Sequence, residues 1–167
     1  MKKNTLLHVR TVTFSECNYS GFLKIQACLR WFEDERFNVS IDADIQDFFM
    51  KEHRIKGKTA SLINEENEYF TMPVIENNIR CYERVLFGTK VNVHTWLEKP
   101  VGSYCTFHHY VTSIDNQMIL IACQTKVTLL GEKTGLRMSM PKILEERIVG
   151  FIESIGSENE IEVEDGV

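Results

Sequence analysis

The chain has 167 residues, 43% hydrophobic and 26% charged, the proportions of a soluble globular domain long enough to bury a core. No apolar run approaches the ~20 residues of a membrane span. Its formal charge of −5 gathers at the C-terminal end, where Glu158, Glu160, Glu162, Glu164 and Asp165 leave the rest balanced at 19 acidic and 19 basic residues, so no basic stripe awaits a nucleic-acid backbone.

Met1-Lys2-Lys3-Asn4 carries two lysines, but the segment after it is too short for a signal-peptide core, and a cytoplasmic protein is expected. Leu7 to Phe14 alternates and reads as a first strand. A polar turn, Ser15-Glu16-Cys17-Asn18-Tyr19-Ser20-Gly21, follows. Lys24 to Val39 has helical spacing, with Ile25, Cys28, Leu29 and Phe32 on one stripe and Arg36 as its next position. A second amphipathic run, Asp42 to Glu52, carries Ile45, Phe48 and Phe49 and reads as a bent continuation or a second helix. Lys56 to Asn67 is polar and predicts an insertion or loop near the mouth of a site.

Four strand-like runs come next: Phe70 to Tyr82, Thr89 to Lys99, Ser103 to Ile114 and Met118 to Leu130. Phe87-Gly88, Pro100-Val101-Gly102 and Asp115-Asn116 separate them, which predicts an antiparallel meander. Pro141 opens a last helix over Lys142 to Ser154. The order predicts an α+β domain over residues 1–155, its long helix wrapped by a curved antiparallel sheet of about five strands. An acidic, disordered tail over 156–167 completes the expectation.

Arg36 needs a partner or a task, because a guanidinium stays charged wherever it is placed. It suits a developing oxyanion or, more simply, an intrahelical pair with Glu33. Asn18 can orient water or donate to a thioester oxygen, or it simply tolerates a left-handed turn conformation before Gly21. Glu16 is the nearest carboxylate and either supplies a base or caps the turn. The first amides of the helix, around Lys24 and Ile25, point at any group held over the turn. Side chains of His108 and His109 face opposite sides of a strand and share no metal site. Cys17, Cys28, Cys81, Cys105 and Cys123 include no C-x-x-C pair and no His at zinc spacing, so reduced thiols and no metal are expected. Cys28 reads as packing on the apolar stripe, and Arg80, Arg84 and Lys90 as solvated charges or phosphate contacts.

The turn and helix together resemble the hotdog-fold thioesterases of the 4-hydroxybenzoyl-CoA thioesterase type. Phe14, Glu16, Asn18 and Gly21 stand where that family has aromatic-x-Asp-x-Asp-x-x-Gly, and Arg30-Trp31-Phe32-Glu33 matches its Trp/Phe-Phe-Glu segment. The family's second Asp, its usual nucleophile or general base, is Asn18 here. In this the chain is similar to the enediyne polyketide thioesterases, which release acyl groups from carrier protein with an Asn at this turn and an Arg where Arg36 stands. Their helix Tyr corresponds to Cys28. The resemblance covers roughly residues 7 to 150 and implies a hotdog fold and a thioesterase acting on acyl carrier protein or CoA without a cofactor. It implies a homodimer or tetramer with the pocket between subunits. Catalytic roles fall on Asn18 and Arg36, with Glu16 as the nearby carboxylate and the Ile25 amide on the oxyanion. Substrate contacts fall on Tyr19, Gly21, Phe22, Cys28, Phe32 and Thr106. Two alternatives stay open, a non-hydrolytic acyl-thioester binding protein and a hotdog dehydratase or acyltransferase. A dehydratase needs a His and carboxylate pair facing the tunnel, and none is recognisable around His8, His53, His94 or His108.

Overall fold

A computed structural model describes residues 2–49, 70–155 and 160–162. The strands are β1 (Lys2–Asn4), β2 (Leu6–Thr11), β3 (Phe70–Thr71), β4 (Val74–Cys81), β5 (Lys90–Leu97), β6 (Tyr104–Ser113), β7 (Ile119–Thr128), β8 (Leu130–Gly131) and β9 (Glu160–Glu162), and the helices are α1 (Ile25–Asp42) and α2 (Lys142–Ser154). Five strands form one antiparallel sheet in the order β2-β5-β6-β7-β4, while β1 pairs with β9 and β3 with β8. Among the described residues, no helix is long and apolar enough to cross a membrane.

α1 lies against one face of the sheet because Cys28, Trp31, Phe32, Glu35 and Val39 are buried along it, a spacing of three and four residues that keeps one stripe inward. Toward its N-terminal half Cys28, Trp31 and Phe32 pack on Val91, Val93, Val111, Ile121 and Cys123. Val39, near its C-terminal end, joins Phe107, Leu129 and the α2 residues Leu144, Ile148 and Phe151. Strand alternation therefore turns Val91, Val93, Phe107, His109 and Val111 toward α1.

Several predicted boundaries move. The stripe begins at Cys28, since Ile25 is 44% exposed. α1 ends at Asp42, and the second amphipathic run becomes a single 3₁₀ turn over Gln46–Phe48 after Asp44 takes a left-handed φ of 53°. The end of that run and the polar 56–67 segment lie outside the described residues. The predicted strand from Phe70 breaks around Pro73, whose nitrogen has no hydrogen to donate, and its carbonyl accepts from the Thr128 amide at 3.1 Å instead. The acidic tail is not featureless: β9 pairs with β1 from Lys2↔Glu162 to Asn4↔Glu160, and Ile161, 3% exposed, packs with Tyr110 and Ala122. One isoleucine between glutamates supplies the apolar area that composition alone conceals.

Candidate active site

The polar turn is built by side chains bonding back to their own backbone. Glu16 closes a 3₁₀ turn by accepting the Thr13 amide at 2.8 Å and the Thr13 hydroxyl at 2.7 Å, and it also receives the Trp31 indole N–H at 2.7 Å. Burial pushes its pKa up, but the Thr13 amide and hydroxyl, the Trp31 indole and the charge of Arg10 outweigh this and hold it below its usual value. Glu16 is thus an ionised carboxylate committed to joining the turn to α1. It borders a different hollow, with Ser15, Lys24 and Arg30.

Asn18 is committed on one side only. Its Oδ1 accepts the Ser20 and Phe22 amides, each at 3.0 Å, an arrangement typical of Asn in turns, while Gly21 supplies the left-handed φ of 80°. Among the described residues, nothing accepts from its Nδ2. The Leu23 amide donates to Val85 O at 2.8 Å and the Phe87 amide to Gly21 O at 2.9 Å, fixing the turn against the segment after β4. α1 starts immediately beyond, with Lys24 as a cap that makes no side-chain bond. Among the described residues no acceptor takes the Ile25 N–H, which therefore stays available at the positive end of the helix. Asn18, Phe22, Ile25, Glu83 and Arg84 line one hollow of ≈480 Å³, with the Arg84 guanidinium 5.3 Å over the Phe22 ring.

Arg36 stands elsewhere. It borders a hollow of ≈400 Å³ with Phe37, Phe49, Phe70, Met72 and Phe107, and eleven residues of α1 separate it from Ile25 by about 16 Å along the axis. Burial lowers its pKa while Glu33 counteracts, yet the guanidinium keeps its charge. The expected Glu33 pair does not form, and among the described residues Arg36 has no hydrogen-bond or ion-pair partner. Within one chain, Asn18 and Ile25 come together and Arg36 does not join them.

No protein-family model and no curated protein matches the sequence. Its shape has many counterparts among solved structures. Slr0204, a 1,4-dihydroxy-2-naphthoyl-CoA thioesterase from Synechocystis, superposes with a TM-score of 0.67 at 11% identity, over 87% of this chain and 96% of that one. The dynemicin thioesterase, whose structures reveal induced-fit and allosteric effects on polyene binding, gives 0.64 at 16% over 88% and 96%. The hypothetical protein SAV2348 from Staphylococcus aureus, solved with CoA, gives 0.71 at 14% over 99% and 92%. The fold is the hotdog fold.

The remaining expected residues are dispersed over this hotdog frame. Tyr19 stands fully in solvent, and Gly21 serves the backbone of the turn. Cys28 and Phe32 are 0% exposed and lie in the core, not in a described hollow. Burial, reinforced by Cys81, Glu16 and Cys123, pushes the Cys28 thiol up to about 12, so it stays protonated and packs as the stripe suggested. Thr106 falls between Cys105 and Phe107 of β6, which face α1, and so points to the opposite side of the sheet from the turn.

The histidines show what sequence reasoning missed. His8 Nδ1 lies 2.5 Å from Glu35, a 0% exposed carboxylate that also receives Arg10 at 3.1 Å. Glu35 continues the buried stripe of α1, which was its only signal. A second pair, His108 with Glu98 at 2.8 Å, stacks on Trp96 on the face away from α1. Neither pair borders the Asn18 hollow. His109 points the other way, stacked on Phe32, with Nδ1 2.9 Å from the Thr95 hydroxyl and no partner for Nε2 among the described residues. Burial first, then Arg36 and His108, drives its pKa well below the usual range, so it is neutral. His94 is a satisfied core histidine held by Thr5, Thr112 and Asn116.

Proposed function

We propose that the protein hydrolyses an acyl thioester carried on CoA or on acyl carrier protein, as a cytoplasmic homo-oligomer. The observation that carries the reading is the meeting of the free Nδ2 of Asn18 with the open Ile25 N–H in one hollow, on a fold shared with thioesterases. The thioester carbonyl sits over the start of α1, where the Ile25 amide and the helix dipole receive the oxyanion that forms as water attacks. Asn18 holds that water by donating from Nδ2, because its carbonyl oxygen is spent on the turn. Arg84 in the same hollow suits a phosphate of the CoA or pantetheine arm. The acyl part is apolar, of the fatty, aromatic or polyketide kind.

Arg36 enters this scheme through a homodimer whose pocket lies between subunits, so that one protomer supplies the turn and the other the guanidinium. Single-turnover hydrolysis of acyl-CoA and acyl-carrier substrates tests the assignment. Arg36→Ala is expected to slow hydrolysis about a hundredfold, Asn18→Ala to do likewise, and Asn18→Asp to retain activity by restoring a carboxylate. Mixed dimers of Asn18→Ala and Arg36→Ala protomers regain activity if the residues act across the interface, because one site then holds both. Activity no better than that of the parents refutes the shared site, and full activity of both alanine variants removes the two residues from the mechanism.

The commitment of Glu16 and of the Asn18 oxygen to the turn favours one second reading, a protein that binds acyl thioesters without cleaving them. Tight binding with no turnover of any substrate would establish it.

A further inference from the structure

Hydrolysis at this site lacks a proton acceptor. Asn18 has no charge, Glu16 is held by three hydrogen bonds at the edge of another hollow, and Glu35 is buried between His8 and Arg10. The hollow that holds Asn18 and Ile25 has one carboxylate in its lining, Glu83.

We infer that Glu83 is the general base of this site, an inference that rests on the thioesterase reading. Its backbone is firmly placed. The Tyr82 and Glu83 amides both donate to Leu120 O, at 2.9 and 3.1 Å, as the chain leaves β4, and two residues on Val85 O accepts the Leu23 amide at 2.8 Å. The same short segment is thus tied to β7 on one side and to the Asn18 turn on the other. The side chain itself is uncommitted. Among the described residues Glu83 has no ion pair or side-chain hydrogen bond, and its neighbour Arg84 lies over the Phe22 ring instead of pairing with it. A carboxylate tethered by its backbone, open to solvent and in no ion pair among the described residues fits a proton acceptor better than a structural anchor.

The step balances without a co-reactant. The Glu83 carboxylate takes one proton from water as the water oxygen bonds to the thioester carbon. The carbonyl electron pair moves onto oxygen, held by the Ile25 N–H. The tetrahedral adduct collapses by breaking the C–S bond, and the sulfur leaves with the proton held on Glu83, giving a carboxylic acid and a thiol and restoring the carboxylate.

The test compares wild type with Glu83→Gln and Glu83→Asp, following single-turnover hydrolysis of decanoyl-CoA and benzoyl-CoA across pH, and binding of the non-hydrolysable decanoyl-CoA thioether. Glu83→Gln is expected to lower hydrolysis about a hundredfold, to abolish the acid limb of the wild-type pH–rate profile and to leave thioether affinity unchanged. Glu83→Asp should restore part of the rate and the limb. An active wild type with an equally active Glu83→Gln and the same profile overturns the role of Glu83 while the thioesterase reading stands. A slower Glu83→Gln that keeps the limb and binds the thioether differently also overturns it, making Glu83 a binding group. A wild type that binds the thioether yet hydrolyses neither substrate, nor the same acyl groups on acyl carrier protein, overturns both readings.

Discussion

His109 shows how one side chain can carry a measurable property that its strand position did not announce. Burial, Arg36 and His108 hold its folded pKa well below the ordinary 6.5, and burial lowers that of His94 as well. The unfolded chain therefore binds protons at these sites that the native chain does not. Stability is fully present above pH of about 6.5 and declines as pH falls below it, since the proton-binding state gains on acidification. The urea midpoint is expected to drop between pH 7 and pH 5, and His109→Gln should flatten that slope even if it lowers the midpoint at pH 7. An unchanged slope would show that His109 is protonated in the folded protein. Glu16 and Asn18 make the complementary point. Glu16 caps the turn, as one sequence reading had it, whereas Asn18 is not left-handed and serves the turn through its Oδ1, because short polar side chains satisfy nearby amides before anything distant reaches them.

At the scale of elements, the surprise is the pairing of β1 with β9. Residues 156–167 read on composition as a disordered acidic tail. Ile161 changes that reading, since full burial of such a side chain is worth about 1.5–3 kcal/mol. Truncation after Ser154, or Ile161→Ala with a smaller effect, is expected to lower the melting temperature by roughly 2–4 °C per kcal/mol lost, with hydrolysis at low temperature unaffected. A truncated protein that melts with the wild type would show that this strand contributes nothing. α1, β5, β6 and β7 were legible because their periodicity is a property of contiguous residues. β4 was legible only in part, because the break around Pro73 depends on which strand donates to its carbonyl.

For the whole molecule the open question is what meets the β4 edge. β4 closes one side of the sheet, and Val74 and Ile75 on it are 39% and 45% exposed. Among the described residues this eight-residue edge pairs with no further strand, and such an edge with exposed aliphatics invites a second strand, for which a two-fold copy of the same edge is the simplest partner. A homodimer is expected by light scattering, and Ile75→Lys should weaken it. A monomer with full activity would dispose of the shared-pocket scheme.

The sequence by itself determined α1, the central strands and α2, because hydrophobic period is written locally, while the hotdog architecture came from the resemblance of the turn and its following helix to a known family. It also placed Asn18 and Ile25 close together, being seven residues apart across one turn. Only the tertiary structure decided which polar groups are spent and which are free. Glu16 is consumed by Trp31, fifteen residues on, Glu35 is met by a strand at the sheet edge, and Glu83 reaches the Asn18 hollow from the far end of β4. Such meetings depend on strand register and on how the helix lies across the sheet, which no local pattern encodes.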